Sequence, residues 1–128
     1  MKLLSFTYPC AYFAVPPLSV MLMPDRKKPF SAGKEATIEC RCRGSRPTPI
    51  FRWYVGDAEL DMGLGKMTIE HHRQEKGREE WISSVIKYVP KPDDNGKYLV
   101  CRATNEYFPN NVKEDGYIIN VHCKCTLS

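Results

Sequence analysis

A chain of 128 residues, 42% of them hydrophobic, can fill the core of one domain and leaves no room for a second. Its 19 Lys and Arg residues against 15 acidic residues give a net charge of only +4, which argues against a strongly basic nucleic-acid-binding protein. The densest basic run, Arg26-Lys27-Lys28, has no interleaved aromatic residue on which bases could stack, and we expect it to be a solvated loop.

The amino-terminal stretch begins as a secretory signal peptide does. Met1-Lys2 supplies a basic head and Leu3 to Val15 an apolar body, but Pro9 interrupts that body and no small-x-small cleavage site follows. Residues 1–15 are therefore interpreted as either a signal peptide or a linker remnant. No apolar run reaches the roughly 18 residues that a membrane span needs, so any anchor is expected outside this chain.

From Pro16 onward the pattern is that of short strands separated by turns. Ten prolines and eight glycines interrupt apolar runs of five or six residues, which favours an all-β domain. Leu18 to Met23 is the first predicted strand, and Pro24 to Lys34 is a polar connection. Apolar and charged residues alternate in Ala36 to Arg43, as in a strand with one face on a core. The inward residues of that strand are Ile38, Cys40 and Cys42.

The middle of the chain continues in the same way. Gly44 to Pro49 is predicted to be a loop, and Ile50 to Val55 a strand rich in β-branched and aromatic residues. Met67 to Gln74 is a weak strand, and Trp81 to Val89 alternates again. The expected inward residues are Phe51, Trp53 and Val55 in one strand and Ser84, Ile86 and Tyr88 in the other.

The last third contains two further predicted strands. Pro90 to Gly96 forms a corner, and Tyr98 to Asn105 follows as a strand. Tyr107 to Gly116 is interpreted as a long polar loop, and Tyr117 to Val121 as the final strand. Residues 123–128 are expected to be a tail or the start of a following segment.

The spacing of Cys40, Trp53 and Cys101 carries the fold prediction. The tryptophan comes 13 positions after the first cysteine, and the second cysteine comes 61 positions after the first. In a two-sheet sandwich such cysteines lie on facing strands and the indole packs against their sulfurs. A bridge closing so long a loop stabilises by roughly 4 kcal/mol. We therefore predict an immunoglobulin-like antiparallel β-sandwich of about seven strands, spanning residues 16–122, with a central disulfide between its sheets.

Several motifs resemble one group within that superfamily. They are Gly44-Ser45-Arg46-Pro47, the Trp53-Tyr54 pair, the run from Asp94 to Ala103, and the closing Val121-His122. Together they resemble the C2-type second immunoglobulin domain of beaten path and sidestep proteins, and nephrin-like and nectin-like adhesion receptors carry similar domains. The resemblance implies an extracellular protein, secreted or held at the cell surface, that works in adhesion or guidance between cells. Its implied partner is a cell-surface receptor or ligand of the immunoglobulin superfamily.

Leu99 departs from the superfamily pattern. A tyrosine commonly stands two residues before the second cysteine, but here Leu99 holds that position and Tyr98 precedes it. Leu99 is therefore expected to anchor the core beside Trp53, and Tyr98 to point outward. The resemblance associates a leucine at this position with a supporting second domain rather than with the primary recognition domain.

A candidate partner-binding surface follows from the outward residues of the predicted strands. These are Arg52, Tyr54, Tyr98, Val100 and Arg102. Tyr and Arg are enriched at the centres of protein interfaces. The alternatives are an ordinary sheet surface and a purely structural spacer domain without direct partner contact.

Other chemistries are poorly supported by the sequence. It contains no Gly-x-Ser-x-Gly, phosphate-binding glycine loop or His-Glu-x-x-His, so we expect neither an enzyme nor a bound cofactor. Cys40-x-Cys42, His71-His72 and His122-Cys123-x-Cys125 could suggest a zinc-binding scaffold, but their spacing is poor for zinc. His71 and His72 are expected to be solvated loop residues. Cys42 is interpreted as a buried free thiol or as the partner of Cys10.

Overall fold

The computed structural model describes residues 14–23, 29–61, 66–73 and 80–123. The interpretations of the signal or linker stretch before residue 14, of Arg26-Lys27-Lys28, and of Cys10 and Cys125 fall outside these residues. Within them the strands are β1 Val15–Met23, β2 Phe30–Ser31, β3 Ala36–Arg46, β4 Ile50–Val55, β5 Ala58–Glu59, β6 Met67–Arg73, β7 Glu80–Tyr88, β8 Tyr98–Thr104, β9 Lys113–Ile118 and β10 Val121–His122. A single turn of 3-10 helix, Pro92–Asp94, lies between β7 and β8.

Two four-stranded antiparallel sheets form the sandwich. The first, which we call the front sheet, has the order β9-β8-β4-β5, and the second, the back sheet, has the order β1-β3-β7-β6. The short strands β10 and β2 pair with each other in parallel. The predicted all-β immunoglobulin-like sandwich is therefore confirmed.

The core lies where the inward residues of the two sheets meet. Alternation along β3 and β4 buries every second side chain, as expected for strands with one face on a core. Cys40 and Cys101 form the predicted disulfide, with their Cα atoms 6.4 Å apart. Trp53 and Leu99, the two expected core anchors, are both fully buried at 0% exposure.

A hydrogen bond joins the two sheets beside this disulfide. Trp53 pairs with Cys101 in the front sheet, and Ser84 pairs with Cys40 in the back sheet. The Trp53 indole Nε1 donates to the Ser84 hydroxyl over 3.0 Å. A small polar residue at Ser84 therefore satisfies the one polar atom of the core tryptophan, as a buried indole requires.

The predicted loop from Gly44 to Pro49 is wrong over its first three residues. Strand β3 continues to Arg46, which pairs with Val15 at the start of β1. Gly44 has a φ of 86° and Ser45 a φ of 54°, so the strand bends here without ending. Gly44 is required because a Cβ at this position would lie 2.7 Å from Leu18 Cγ.

The predicted loop from Tyr107 to Gly116 is also too long. Strand β9 begins at Lys113, opposite Ala103 of β8. Its first residues are polar because they lie at the sheet edge, where Asp115 Oδ2 accepts a hydrogen bond of 2.9 Å from the backbone N–H of Leu22 in β1. This contact gives a partner to the Leu22 N–H on the edge strand of the back sheet and joins the neighbouring edges of the two sheets.

The predicted final strand from Tyr117 to Val121 is interrupted. Strand β9 ends at Ile118, and the chain resumes as β10 at Val121, where it leaves β8 and pairs with β2. The two-residue strands β2 and β5 were not predicted, because two residues are too few to show alternation. The first strand extends three residues before Leu18, to Val15.

Candidate functional site

The outer face of the front sheet contains all five residues predicted to bind a partner. Arg52 and Tyr54 of β4 alternate with buried core residues, as do the three residues of β8, which are Tyr98, Val100 and Arg102. Arg52 lies opposite Arg102, and Tyr54 lies opposite Val100. The five side chains therefore share one continuous surface, which we call the front face.

Arg102 organises the centre of the front face. Its guanidinium lies 5.0 Å from the centroid of the Tyr54 ring, and its Nε lies 3.0 Å from Glu114 Oε2 of β9. Each contact is modest at an exposed site, with the ion pair worth at most about 1 kcal/mol. Together they favour the observed orientations of Tyr54 and Arg102.

An exposed apolar pair extends this face toward the sheet edge. Tyr98 is 55% exposed, and Ile118, opposite it on β9, is 56% exposed. Ile118 and Glu114 were missed by the sequence analysis. The available signal was the polar Asn120 in the predicted strand from Tyr117 to Val121, because a strand that turns Asn120 outward turns Ile118 outward as well.

A glycine brings β9 close to the middle of the front face. A Cβ at Gly116 would lie 2.8 Å from the Leu99 carbonyl oxygen and 2.9 Å from Val100 Cγ2. Nearby, a shallow hollow of about 270 Å³ is lined by Tyr54, Gly56, Asp57, Val100, Arg102 and Glu114. The front face thus combines projecting side chains with a concave area.

The outer face of the back sheet carries an aromatic stack. The ring of His72 on β6 stacks on Trp81 of β7, with centroids 5.1 Å apart, and the Arg41 guanidinium of β3 lies 5.0 Å from the Trp81 centroid. The expectation that His71 and His72 lie in a loop is therefore wrong, although His71 is exposed to solvent as expected. Both lie on β6, and His72 is half-buried because Trp81 on the neighbouring strand packs against it.

Glu39 lies on the same outer face and accepts two side-chain hydrogen bonds. Its Oε2 accepts from the Ser83 hydroxyl over 2.5 Å and from Arg41 Nε over 3.0 Å. Partial burial acts to raise the pKa of Glu39. The hydrogen bonds from Ser83 and Arg41, with the nearby charges of Arg41 and His72, outweigh burial and hold this pKa below its ordinary value of 4.5.

Asn105 connects three segments at the end of the sandwich where β1 begins. It is only 1% exposed. Its Nδ2 lies within hydrogen-bond distance of the carbonyl oxygens of Val15 and Arg46, at 3.2 and 3.0 Å, and its Oδ1 accepts from the backbone N–H of Tyr107 over 3.0 Å. Sequence reasoning placed Asn105 at the end of a predicted strand and assigned it no role, because the segments that it joins are distant in sequence.

The corner between β7 and β8 is fixed by a different tyrosine from the one that the superfamily pattern uses. The Tyr88 hydroxyl donates to Asp94 Oδ2. Burial and this hydrogen bond raise the pKa of Tyr88. Leu99, at the position where the superfamily pattern has a tyrosine, is fully buried, and the neighbouring Tyr98 faces solvent.

Metal binding receives no support from the described part of the chain. In that part, no group of three or more His, Cys, Asp or Glu side chains is placed to hold a metal ion. Cys40 is committed to its disulfide, and Cys42 is a buried free thiol whose pKa burial raises to about 11.

In the described ranges, no helix is long and apolar enough to cross a membrane.

Comparison with proteins of known sequence gives relatives named as adhesion molecules. An alignment covering 93% of this chain is 24% identical to cell adhesion molecule 3 of Xenopus laevis. An alignment covering 70% of this chain is 28% identical to human cell adhesion molecule 4. The chain is 25% identical to human nephrin over 83% of its length. The chain spans 32%, 21% and 8% of these relatives, respectively.

Solved structures give the same fold. The first two domains of Rst match 84% of the chain with a TM-score of 0.66 at 17% identity, covering 50% of that structure. The ectodomain of mouse nectin-like molecule 4 matches 85% of this chain with a TM-score of 0.56 and 25% sequence identity, and the match covers 35% of that structure. The predicted similarity to nephrin-like and nectin-like receptors is thus confirmed. Since the family model of CD80-like C2-set immunoglobulin domains matches residues 22–111, the chain belongs to that immunoglobulin domain family.

Proposed function

We propose that this chain is an extracellular protein-recognition domain that works in cell adhesion and that contacts its partner through the front face. The partner is a cell-surface receptor or ligand of the immunoglobulin superfamily. Guidance between cells, including axon guidance, is the process that the resemblance to beaten path and sidestep proteins implies. Fold alone does not establish that process, so the proposal depends on the surface residues.

The observation that carries the proposal is the composition of the front face. Two tyrosines and two arginines lie on one continuous sheet surface, and exposed Ile118 extends it. Tyrosine and arginine dominate the energetic centres of protein interfaces. The adhesion molecules among the relatives give independent support for a protein partner.

We further propose that the domain has a supporting role within a longer receptor or secreted ligand. Leu99 at the position of the corner tyrosine supports this role, as does the second-domain character of Gly44 to Pro47. A supporting domain contributes orientation and a modest contact, so its own affinity for a partner is weak.

A purely structural spacer is the second candidate. One observation favours it: Arg102 is already paired with Glu114 and stacked on Tyr54, so the centre of the front face is satisfied without a partner. Exposed tyrosines and arginines also occur away from interfaces. The two candidates differ in whether the isolated domain binds anything at all.

The experiment compares surface binding by this domain with binding by a longer chain that carries its neighbouring domain. The probes are immobilised immunoglobulin-superfamily ectodomains of the same organism. We expect the single domain to bind with a Kd weaker than about 10 μM and to become readily detectable when tetramerised, since avidity multiplies weak contacts. The longer chain should bind more tightly.

Two outcomes would contradict the proposal. No binding by the tetramer, together with binding by the longer chain, would favour the spacer. Submicromolar binding by the single domain, abolished by Arg52→Ala or Tyr54→Ala, would make this domain the primary recognition element.

A further inference from the structure

Arg52 is an exposed arginine of the front face whose side chain has no ion pair or hydrogen bond with any residue that the structure describes. It lies directly opposite Arg102 of β8, and like charges at opposite positions destabilise a sheet. Glu114 compensates the charge of Arg102. Neither Glu59 of β5 nor Asp61, which follows β5, forms an ion pair with Arg52. The charge of Arg52 therefore contributes no ion pair to the fold.

Two arginines of the back sheet are placed differently. At a hollow of about 470 Å³ on that sheet, Arg46 Nη2 lies 3.4 Å from Glu80 Oε2. Arg41 Nε lies 3.0 Å from Glu39 Oε2. Because each of these arginines already has an acidic neighbour, an incoming carboxylate would gain little from either of them. Arg52 has no such neighbour, so the front face is the better place for an acidic group of a partner.

Arg52 lies between two side chains with large apolar surfaces on the outer face of β4. Ile50, two residues before it, is 48% exposed, and Tyr54, two residues after it, is half-buried. A protein that covers Ile50 and Tyr54 also removes water from Arg52. Removing water from an unpaired guanidinium is strongly unfavourable, and a carboxylate in bidentate contact offsets this loss. A protein that docks here must therefore bring an acidic side chain to Arg52.

The surroundings of Arg52 favour a single carboxylate of a protein over a polyanion. The carboxylates of Glu59 and Glu114 lie on the same face of the sheet. They would repel the closely spaced negative charges of a sulfated glycan or a nucleic acid. Tyr98 and Ile118 are both more than half exposed on this face, and such side chains are typically covered by another protein.

We propose that Arg52 binds the carboxylate of an Asp or Glu residue of the partner protein, flanked there by apolar side chains. The guanidinium donates two parallel hydrogen bonds to the carboxylate oxygens, and the flanking apolar side chains pack on Ile50 and Tyr54. The carboxylate also relieves the repulsion between Arg52 and Arg102. Because the front face must first be the binding surface, this contact depends on the proposed function.

The test is binding of tetramerised variants of the domain to the immobilised immunoglobulin-superfamily ectodomain that wild type binds. Arg52→Gln should weaken binding at least about tenfold, as for a residue at an interface centre, and Arg52→Glu should abolish it. Arg52→Lys should fall between wild type and Arg52→Gln, because lysine keeps the charge but loses the bidentate geometry. Lys87→Gln removes the same charge at an exposed position of the back sheet and should change the affinity less than about twofold.

A charge exchange identifies the acidic residue of the partner. Replacing that one Asp or Glu of the ectodomain by Arg should abolish binding to wild type and restore binding to Arg52→Glu. No other acidic residue of the ectodomain should show both effects. A heparin-coated surface serves as the polyanion probe, and we expect it to bind wild type and Arg52→Gln equally weakly.

Thermal melting of the free domain separates a role in binding from a role in folding. Arg52→Gln should melt at no lower temperature than wild type, because it removes the repulsion from Arg102 and no ion pair. A lower melting temperature would overturn the proposal, because Arg52 would then serve the fold.

The binding outcomes distinguish this proposal from the proposed function. Equal binding of wild type and Arg52→Gln to an ectodomain would overturn the role of Arg52 and leave the front face as the binding surface. Binding to no ectodomain would overturn both. Binding to heparin that Arg52→Gln abolishes, without binding to any ectodomain, would assign Arg52 to a polyanion.

Discussion

At the scale of single residues, the two tryptophans differ in what surrounds them. Trp53 is fully buried between the sheets, where its ring lies beside the disulfide and its nitrogen donates to Ser84. Trp81 is half-buried on the outer face of the back sheet, and it stacks on His72. Only Trp53 belongs to the core, although both tryptophans lie in strands whose sequences alternate.

Replacing each tryptophan by alanine should therefore have unequal effects. Trp53→Ala should lower the free energy of unfolding by about 3 to 5 kcal/mol, the range for removing a buried large aromatic side chain. Trp81→Ala should lower it by less than about 2 kcal/mol, because Trp81 lies on the outer face of the sheet, outside the core, and its removal leaves no cavity between the sheets. Urea unfolding of both variants measures the difference. Equal losses would mean that the core is not centred on Trp53.

Asn105 should contribute to stability through hydrogen bonds rather than through packing. In Asn105→Ala, the carbonyl oxygen of Arg46 and the backbone N–H of Tyr107 lose their partner. We expect a loss of about 1 to 3 kcal/mol, the cost of leaving buried polar groups unsatisfied. Asn110→Ala, at an exposed position, is the matched control and should stay within about 0.5 kcal/mol of wild type. An equally stable Asn105→Ala protein would refute this role.

Glu39 should make stability depend on pH in the acid range. Its pKa in the folded protein is lowered, so its carboxylate stabilises the fold above the ordinary value of 4.5, and this contribution is lost as the pH falls through the lower folded-state pKa. The stability advantage of wild type over Glu39→Gln should therefore be present at pH 7 and shrink below pH 4.5.

Unfolding curves at a series of pH values test this prediction. Ser83→Ala removes one of the two hydrogen bonds to the carboxylate, so its difference from wild type should shrink over the same interval. A constant difference between wild type and Glu39→Gln at all pH values would contradict the assignment.

At the scale of strands, alternation determined what could be predicted. Strands β3, β4, β7 and β8 alternate over most of their length, and the residues named as inward from the sequence are buried. Ser45, Ile82 and Ala103 also face the core and were not identified. Strand β9 was predicted only in part, because Lys113, Glu114 and Asp115 give its first half the composition of a loop. Strand β2 forms through pairing with the distant β10, which a local pattern does not contain. Strand β5 pairs with the preceding β4 across the turn at Gly56-Asp57, but its two residues are too few to show alternation.

The candidate site could be predicted only on the strands whose sequences alternate. The five front-face residues lie on β4 and β8, where alternation fixes which side chains point outward. Ile118 and Glu114 lie on β9, whose start and end were misplaced, and so they were missed. The stack of His72 on Trp81 depends on the register between β6 and β7, which only the three-dimensional structure reveals.

Gly116 tests the close packing of β9 on β8. Gly116→Ala places a methyl group against the Leu99 carbonyl and the Val100 side chain, so β9 must shift. We expect a loss of about 1 to 3 kcal/mol, as for other overpacked sites. Glu114→Ala, two residues away on the same strand, is exposed and should lose less than about 1 kcal/mol. A stable Gly116→Ala protein would show that β9 is less closely packed on β8 than described.

At the scale of the whole molecule, the sandwich separates two surfaces of different character. The front face presents tyrosine, arginine and an exposed isoleucine, whereas the back sheet carries the His72 and Trp81 stack beside its hollow. The Cys40–Cys101 disulfide and the Trp53 hydrogen bond hold the two sheets together. A rigid core of this kind keeps both surfaces in fixed relative positions, which suits a domain that orients partners as well as one that binds them.

The central claim is that the front face recognises a protein partner, and the most direct measurement is an alanine series in the tetramerised domain against the ectodomain that it binds. We predict that Tyr54→Ala and Tyr98→Ala each weaken binding at least about tenfold, as expected for residues at an interface centre. Thr68→Ala and Lys87→Ala, at exposed positions on the back sheet, should change the affinity less than about twofold. Thermal melting checks that all four variants are folded. Unchanged binding by both tyrosine variants, or a greater loss in the back-sheet variants, would contradict the claim.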